Sequence, residues 1–212
     1  MKNLLTKKEL IAFEDDIAAT FNASQIKSPV HLYHDNEHQM IEVFKHVNED
    51  DWICTSWRSH YQCLLKGVPP KELKEAILQN RSISLCFKEY KVISSAIVAG
   101  IIPIALGIAY DIKRKGETNK VWCFVGDMTS MHGAFTEALN YAHNHQLPIT
   151  FVVEDNGKSV CTDTRDAWGQ WQLDEEPEHD IGQNVYKCGH VWYYKYNLDK
   201  YPHAGAGQRV QF

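Results

Sequence analysis

The chain has 212 residues, which is enough for one domain of ordinary size. Hydrophobic residues make up 44%, as in proteins that form a buried core, and the net charge is −5, so the basic surface of a nucleic-acid-binding protein is not expected. No apolar run approaches the roughly 20 residues of a membrane helix, and charged residues follow soon after Met1. We therefore expect no membrane span and no signal peptide, and we predict a cytoplasmic location.

Helices and one short strand are predicted in the first half of the chain. Thr6 and Glu9 form a capping box before apolar residues at helical spacing, which predicts an amphipathic helix near the start. Pro69 and Pro70 open a second helix. Residues 52–56 suit a short strand, and the uncharged stretch at 98–110 predicts a helix buried on most sides.

The centre of the chain predicts a strand–helix–strand unit. The apolar run at 121–125 is typical of a buried parallel strand, a helix face follows at 135–142, and residues 149–153 suit a second buried strand. This unit indicates an α/β domain with a mainly parallel sheet. We assign residues 1–165 to that domain and residues 166–212 to a C-terminal extension that packs on the domain or on a partner subunit.

Polar residues follow both strands of this unit, at the ends where ligands bind in such folds. Gly126 and Asp127 end the first strand, and Glu154 to Gly157 follow the second. Carboxylate and amide oxygens suit Mg²⁺ shared with phosphates, and the helix after Ser130 is expected to offer N–H groups to a phosphate. A metal–diphosphate site is one interpretation. The other is that Asp127 only caps a helix and Asn156-Gly157 is a turn.

These residues carry a resemblance to a known family. Gly126-Asp127 and, one helix and one strand later, Glu154-Asp155-Asn156-Gly157 resemble the motif of thiamine diphosphate enzymes. The nearest family is the alpha subunit of the first component of 2-oxo acid dehydrogenases, of the pyruvate or branched-chain type, in a short form. Stretches at 28–37, 57–67 and 96–107 agree in order. The resemblance covers residues 25 to 165 and implies the three-layer α/β fold that binds thiamine diphosphate.

The resemblance also implies roles for individual residues. Asp127 and Asn156 match the side-chain ligands of Mg²⁺, and Lys158 matches the position whose backbone carbonyl completes the set. The metal would bridge the two phosphates of thiamine diphosphate and neutralise charge there. The other predicted cofactor-binding residues match positions beside the diphosphate or the aminopyrimidine ring: Trp57 (where the family has tyrosine), Arg58, Ala96, Val98, Gly126, Met128 and Thr129.

His60 matches a histidine at the mouth of the active site, and the resemblance predicts a catalytic role for it, in proton transfer or in contact with a substrate carboxylate. The alternative is a hydrogen-bonded histidine beside Arg58. Besides Trp57, two residues depart from the family pattern: Met128 stands where the motif has its second glycine, and Asp155 replaces an asparagine beside the metal site.

The C-terminal fifth of the chain departs further from the family. The histidine-bearing active-site loop of the family has no recognisable counterpart here. His179, His190 and His203 are candidates for its replacement, and no motif chooses among them. The last residues suit either an ordered arm on a partner subunit or a mobile tail.

The implied function is that of an oxidoreductase subunit acting on a small 2-oxo acid, with the cofactor supplying the decarboxylation chemistry. In this family a glutamate of the beta subunit starts cofactor activation, so a separate pyrimidine-binding beta subunit and an α₂β₂ heterotetramer are expected. The alternatives are half of a split transketolase-like carboligase and a non-catalytic subunit that binds a partner.

Overall fold

The computed structural model describes residues 4–169 and 179–207. Within these ranges the strands form one eight-stranded sheet, in the order β2-β3-β1-β4-β5-β10-β9-β8, and a separate hairpin of β6 and β7. The strands of the sheet are β1 (Trp52–Thr55), β2 (Cys86–Phe87), β3 (Val92–Ser94), β4 (Val121–Gly126), β5 (Ile149–Asp155), β8 (His179–Asp180), β9 (Tyr186–Cys188) and β10 (Val191–Lys195). The hairpin strands are β6 (Lys158–Ser159) and β7 (Thr162–Asp163).

The central part of the sheet is parallel. Strands β3, β1, β4, β5 and β10 run in one direction, and antiparallel pairs add β2 at one edge and β9 and β8 at the other. The predicted strand–helix–strand unit is confirmed, with β4 and β5 paired from Val121–Ile149 to Gly126–Glu154. The carboxyl ends of β4, β5 and β10 consequently lie at the same edge of the sheet.

Helices cover both faces of the sheet. They are α1 (Lys7–Asn22), α2 (Glu37–His46), α3 (His60–Leu65), α4 (Pro70–Leu78), α5 (Ile101–Lys115), α6 (Asp127–Ser130), α7 (Gly133–Asn144) and α8 (Thr164–Trp168), with a 3₁₀ turn at Lys88–Tyr90. The predicted capping box is confirmed: the Thr6 hydroxyl accepts from the N–H of Glu9, and the Glu9 carboxylate accepts from the N–H of Thr6 at 2.7 Å. The helix opened by Pro70 is also confirmed.

The side chains of each strand alternate between two apolar layers. Phe124 and Val152 belong to the layer that includes residues of α1 to α4. Cys123, Val125 and Phe151 belong to the layer that includes residues of α5 and α7. A sheet buried on both faces explains why β4 and β5 are continuous apolar runs, and it confirms the predicted three-layer α/β arrangement.

Helix α5 differs from its prediction in start and in burial. It begins at Ile101 rather than near residue 98, and Pro103 stands in its first turn, where proline is tolerated. Ile102, Ala105 and Ala109 are buried, whereas Ile104 is 43% exposed. The uncharged sequence therefore belongs to a helix with one buried face, because only the residues at helical spacing contact the sheet.

Part of the C-terminal extension joins the domain. Strand β10 pairs with β5 in parallel, and the residues after it, 196–207, run back across the N-terminal part of the chain. We call residues 196–207 the C-terminal strap. Residues 170–178 and 208–212 of the predicted extension lie outside the described residues. None of the described helices combines the length and the apolar composition that a membrane-spanning segment requires.

Candidate functional site

A cavity lies at the carboxyl ends of β4 and β5. Most of the residues predicted to bind a cofactor line it: Trp57, Arg58, Gly126, Asp127, Met128, Thr129, Asn156 and Lys158. An added Cβ at Gly126 would meet no atom within 4 Å, so the wall at this glycine is open. The structure thus brings together residues from three separate stretches of the sequence.

Asp127 is the acidic group at the base of this cavity. It opens α6 directly after β4, is only 3% exposed, and accepts a hydrogen bond from the Thr164 hydroxyl. The pKa of Asp127 is raised to about 6, mainly by burial; the Thr164 hydrogen bond opposes this rise, and the nearby Asp155 adds to it. A cation bound beside this buried carboxyl would stabilise its ionised form.

The loop after β5 is tied to Asp127 through the β6–β7 hairpin. Asn156 is half-buried, and its side-chain oxygen accepts from the N–H of Lys158 at 3.1 Å. At the far end of the hairpin, the N–H of Thr164 donates to the carbonyl of Gly157 at 3.0 Å. The Thr164 hydroxyl also donates to Asp127, so Thr164 connects the end of β4 with the end of β5.

Asp155, which adds a negative charge to the motif, has both oxygens engaged. Its Oδ1 accepts from the N–H of Gly157 at 2.7 Å, and its Oδ2 accepts from the Tyr193 hydroxyl of β10. Asp155 is not among the residues that line the cavity. Its charge therefore acts on the site indirectly, through Asp127.

Met128 fits the second glycine position of the motif without strain. It lies in α6 and is not among the residues with positive φ. Its sulfur accepts from the indole N–H of Trp168 at 2.9 Å. The predicted helix start is displaced, because α7 begins only at Gly133 and His132 caps its Ala134 N–H. The short helix α6, rather than α7, lies at the cavity.

Arg58 carries a positive charge in the wall of the cavity. It is 9% exposed, its Nη1 donates to the Tyr196 hydroxyl at 3.2 Å, and its guanidinium lies 5.7 Å from the centre of the Tyr33 ring. Its Nε is buried and has no hydrogen-bond partner. A buried donor without a partner is costly, so this guanidinium has capacity for an anion.

Glu154 is a buried carboxyl that also lines the cavity. Its oxygens accept from the Tyr33 hydroxyl at 3.0 Å, from Gln62 Nε2 at 3.2 Å and from the Tyr194 hydroxyl. Burial raises the pKa of Glu154 to about 7, although these hydroxyls and the charge of Arg58 act in the opposite direction. Sequence reasoning missed this cluster, because its members come from stretches that no short motif connects.

The raised pKa of Glu154 predicts a pH dependence of stability. Its ordinary pKa is 4.5, so the folded state binds more protons than the unfolded state between pH 4.5 and about 7. The contribution of Glu154 is therefore fully present below pH 4.5 and is lost as the pH rises through 7, by about 3 kcal/mol. Asp127 adds to the same trend.

Urea unfolding of the ligand-free chain at several pH values between 5 and 8 measures this effect. E154Q is expected to make the decline in unfolding free energy with pH shallower, leaving the part due to Asp127. E75Q, at an exposed glutamate of α4, should keep the original slope. If the slope in E154Q is unchanged, the pKa of Glu154 does not lie within this pH range in the folded state, and the prediction is wrong.

Ala96 and Val98 lie away from the cavity. They fall in the loop between β3 and α5, both are exposed, and Val98 is 50% exposed. Neither lines the cavity. Their contact with the aminopyrimidine ring of the cofactor therefore stays a prediction.

The structure corrects the predicted position of His60 at the mouth of the active site. The imidazole is fully buried, with Nδ1 2.9 Å from Glu14 Oε2 and Nε2 2.9 Å from Ser82 Oγ. It does not line the cavity. Both ring nitrogens are thus engaged by protein groups, which favours the alternative of a hydrogen-bonded histidine, and a catalytic role for His60 stays a prediction.

Of the three C-terminal histidines, His203 lines the cavity. His179 is exposed in β8, and Nδ1 of His190 lies 2.8 Å from the Ile149 carbonyl oxygen. Sequence reasoning could not choose His203, because its position depends on the path of the C-terminal strap. Tyr196 of the strap also lines the cavity and was missed for the same reason.

The candidate Mg²⁺ ligands comprise one carboxylate, one amide and one backbone carbonyl. In the part of the chain that the structure describes, no group of three or more His, Cys, Asp or Glu side chains is arranged to hold a metal ion. A Mg²⁺ site made of one carboxylate, one amide and one carbonyl oxygen would not form such a cluster.

Comparison with known proteins places these residues in context. The model of the family described as "Dehydrogenase E1 component" matches residues 6–172. Pyruvate dehydrogenase E1 component subunit alpha of Porphyra purpurea is 31% identical over 161 residues, covering 68% of this chain and 47% of the relative. The alpha subunit of acetoin:2,6-dichlorophenolindophenol oxidoreductase of Cupriavidus necator is 29% identical over 160 residues, covering 71% of this chain and 48% of the relative.

The chain therefore spans about half the length of these two curated relatives. The match to the family model ends at residue 172, so β10 and the C-terminal strap lie outside it.

Proposed function

The chain belongs to the dehydrogenase E1 component family, and from this we infer that it binds thiamine diphosphate through Mg²⁺ and serves as the alpha-type subunit of a decarboxylating 2-oxo acid dehydrogenase. The observation that carries the proposal is the convergence of Asp127, Asn156 and Arg58 on one cavity at the ends of two parallel strands. Relatives named as alpha subunits of pyruvate dehydrogenase support it.

The residues present fit a metal-bound diphosphate. One wall offers the Asp127 carboxylate and the Asn156 amide, which with the Lys158 carbonyl make an oxygen set suited to Mg²⁺. The same cavity offers the Arg58 guanidinium, whose buried Nε lacks a partner. At Gly126, the space that a Cβ would occupy is open.

Each side chain has a defined task in this arrangement. Asp127 and Asn156 orient the metal, which neutralises phosphate charge that the cavity would otherwise bury at a cost. Arg58 binds a phosphate oxygen, a task for which its planar set of donors is suited. Trp57 forms an apolar wall, and Met128 and Thr129 line the diphosphate. When bound, thiamine diphosphate supplies the electron sink for decarboxylation.

A second subunit is part of this proposal. Ala96 and Val98, which match positions beside the aminopyrimidine ring, are exposed, and the neighbouring Ile97 is 73% exposed. A beta subunit covering this surface would enclose the ring, giving an α₂β₂ assembly with a small 2-oxo acid as substrate. A cytoplasmic location stays a prediction. The relatives named as acetoin oxidoreductase subunits favour oxidation of acetoin as a second candidate reaction.

Calorimetric titration of the purified chain with thiamine diphosphate tests the cofactor proposal. We expect weak binding in the presence of Mg²⁺ and none after chelation, because Asp127 and the diphosphate repel each other without the metal. Thiamine without phosphates is the matched control and should not bind measurably. Equal binding with and without Mg²⁺, or none at millimolar cofactor, would contradict the proposal.

A further inference from the structure

The C-terminal strap forms one wall of the cavity, although it lies outside the part of the chain that the family model matches. We propose that Tyr196 of this strap is a positioning residue, which holds the Arg58 guanidinium toward the bound diphosphate. This inference rests on the proposed function, because Tyr196 would orient Arg58 for the diphosphate at the same site.

The contact between the two residues is buried and direct. Arg58 Nη1 donates to the Tyr196 hydroxyl at 3.2 Å, and the two side chains are 9% and 7% exposed. Arg58 Nη2 lies 3.5 Å from the carbonyl oxygen of His203, also in the strap. Both contacts that fix the end of the guanidinium therefore come from the strap.

The chemistry of these partners matters for anion binding. No ion pair joins Arg58 to a carboxylate among the residues that the structure describes. A hydroxyl and a carbonyl orient a guanidinium without neutralising it, whereas a carboxylate would compete with the phosphate. The Nε is buried without a partner, so the guanidinium keeps a donor that no protein group satisfies. Tyr196 thus orders the side chain in advance and leaves its charge available.

The position of Tyr196 is fixed at both ends of the strap. Its own N–H donates to the Asp155 carbonyl at 2.9 Å, directly after β10. Further along, the His203 carbonyl lies 2.7 Å from His31 Nδ1, and the N–H of Gly205 donates to the Val30 carbonyl at 2.9 Å. A segment held in this way supports a fixed hydroxyl rather than an occasional contact.

The test compares Y196F with the unchanged chain, using Mg²⁺-pyrophosphate and thiamine diphosphate as calorimetric probes. Y196F should weaken both probes by about fivefold to tenfold, since it removes a hydrogen bond to a charged group. In an R58M background the same substitution should change affinity by less than about twofold, because the group that it positions is absent. Y201F, whose hydroxyl bonds Asp15 outside the cavity, is the matched control within the strap.

Each outcome separates this inference from the proposed function. Binding by the unchanged chain with equal affinity in Y196F overturns the positioning role alone. Equal losses from Y196F with and without Arg58, or an equal loss in Y201F, also overturn it, because Tyr196 would then act through general stability. If the unchanged chain binds neither probe, both proposals fail. If it binds pyrophosphate but not thiamine diphosphate, the proposed function fails and the positioning role is still measured.

Discussion

Replacing Asp127 with asparagine should lower the Mg²⁺-dependent affinity for thiamine diphosphate by about a hundredfold or more. This loss is larger than that expected from substituting a residue that only hydrogen-bonds a metal ligand. Asparagine keeps the shape and an oxygen that can accept from Thr164, so the local fold should survive. The substitution removes the negative charge that Asp127 would contribute to Mg²⁺ binding. Calorimetric titration at fixed Mg²⁺ measures the loss.

The matched control is D155N. Asp155 is a neighbouring buried carboxylate of the same motif, but it is bonded to Gly157 and Tyr193 and does not line the cavity. Its substitution should change cofactor affinity by less than about threefold, because both variants remove one charge and only D127N removes a ligand. Similar losses in the two variants would show that overall charge matters, rather than coordination by Asp127.

The second large effect concerns stability. H60L is expected to lower the free energy of unfolding by about 3 to 5 kcal/mol, because the buried Glu14 carboxyl loses its imidazole partner and keeps only the Tyr33 N–H. Glu14 is 1% exposed and lies 2.9 Å from His60, which is itself fully buried against Ser82 and the ring of Phe13. Urea unfolding of the ligand-free chain measures the loss.

Two companion variants identify its cause. H38L alters an exposed histidine of α2 and should change stability by less than about 0.5 kcal/mol. The double variant E14M/H60L should regain part of the stability lost in H60L, because no unpaired carboxylate remains. A loss below 1 kcal/mol in H60L would argue that the Glu14–His60 contact is not structural, and the catalytic interpretation of His60 would return.

The centre of the fold could be predicted from sequence because its signals are local. Continuous apolar runs at β4 and β5 require burial on both faces, and residues directly after parallel strands necessarily share one edge of the sheet. This reasoning places Asp127 and Asn156 in one cavity without knowledge of any contact. Arg58 required the resemblance, because nothing in its own neighbourhood indicates an anion.

The remaining features depend on contacts between distant residues. His60 has the same sequence neighbours whether it faces solvent or Glu14, and only the packing of α1 on α3 decides between them. Tyr196 and His203 reach the cavity because the strap crosses the N-terminal segment, and no periodicity reports such a path. The sequence predicts that helix α5 is buried on most sides because residues 98–110 are uncharged on every face, and it does not show which face packs against the sheet.

The course of the strap has a consequence for the order of events during synthesis. Arg58 leaves the ribosome well before its partners Tyr196 and His203, which follow it by more than half of the printed sequence. Strand β10 must also join β5 across a long separation in sequence, and pairings of this kind form slowly. A nascent chain can therefore form α1 to α4 and β1 well before its anion-binding wall exists, and competence for the cofactor arises only after the strap has emerged.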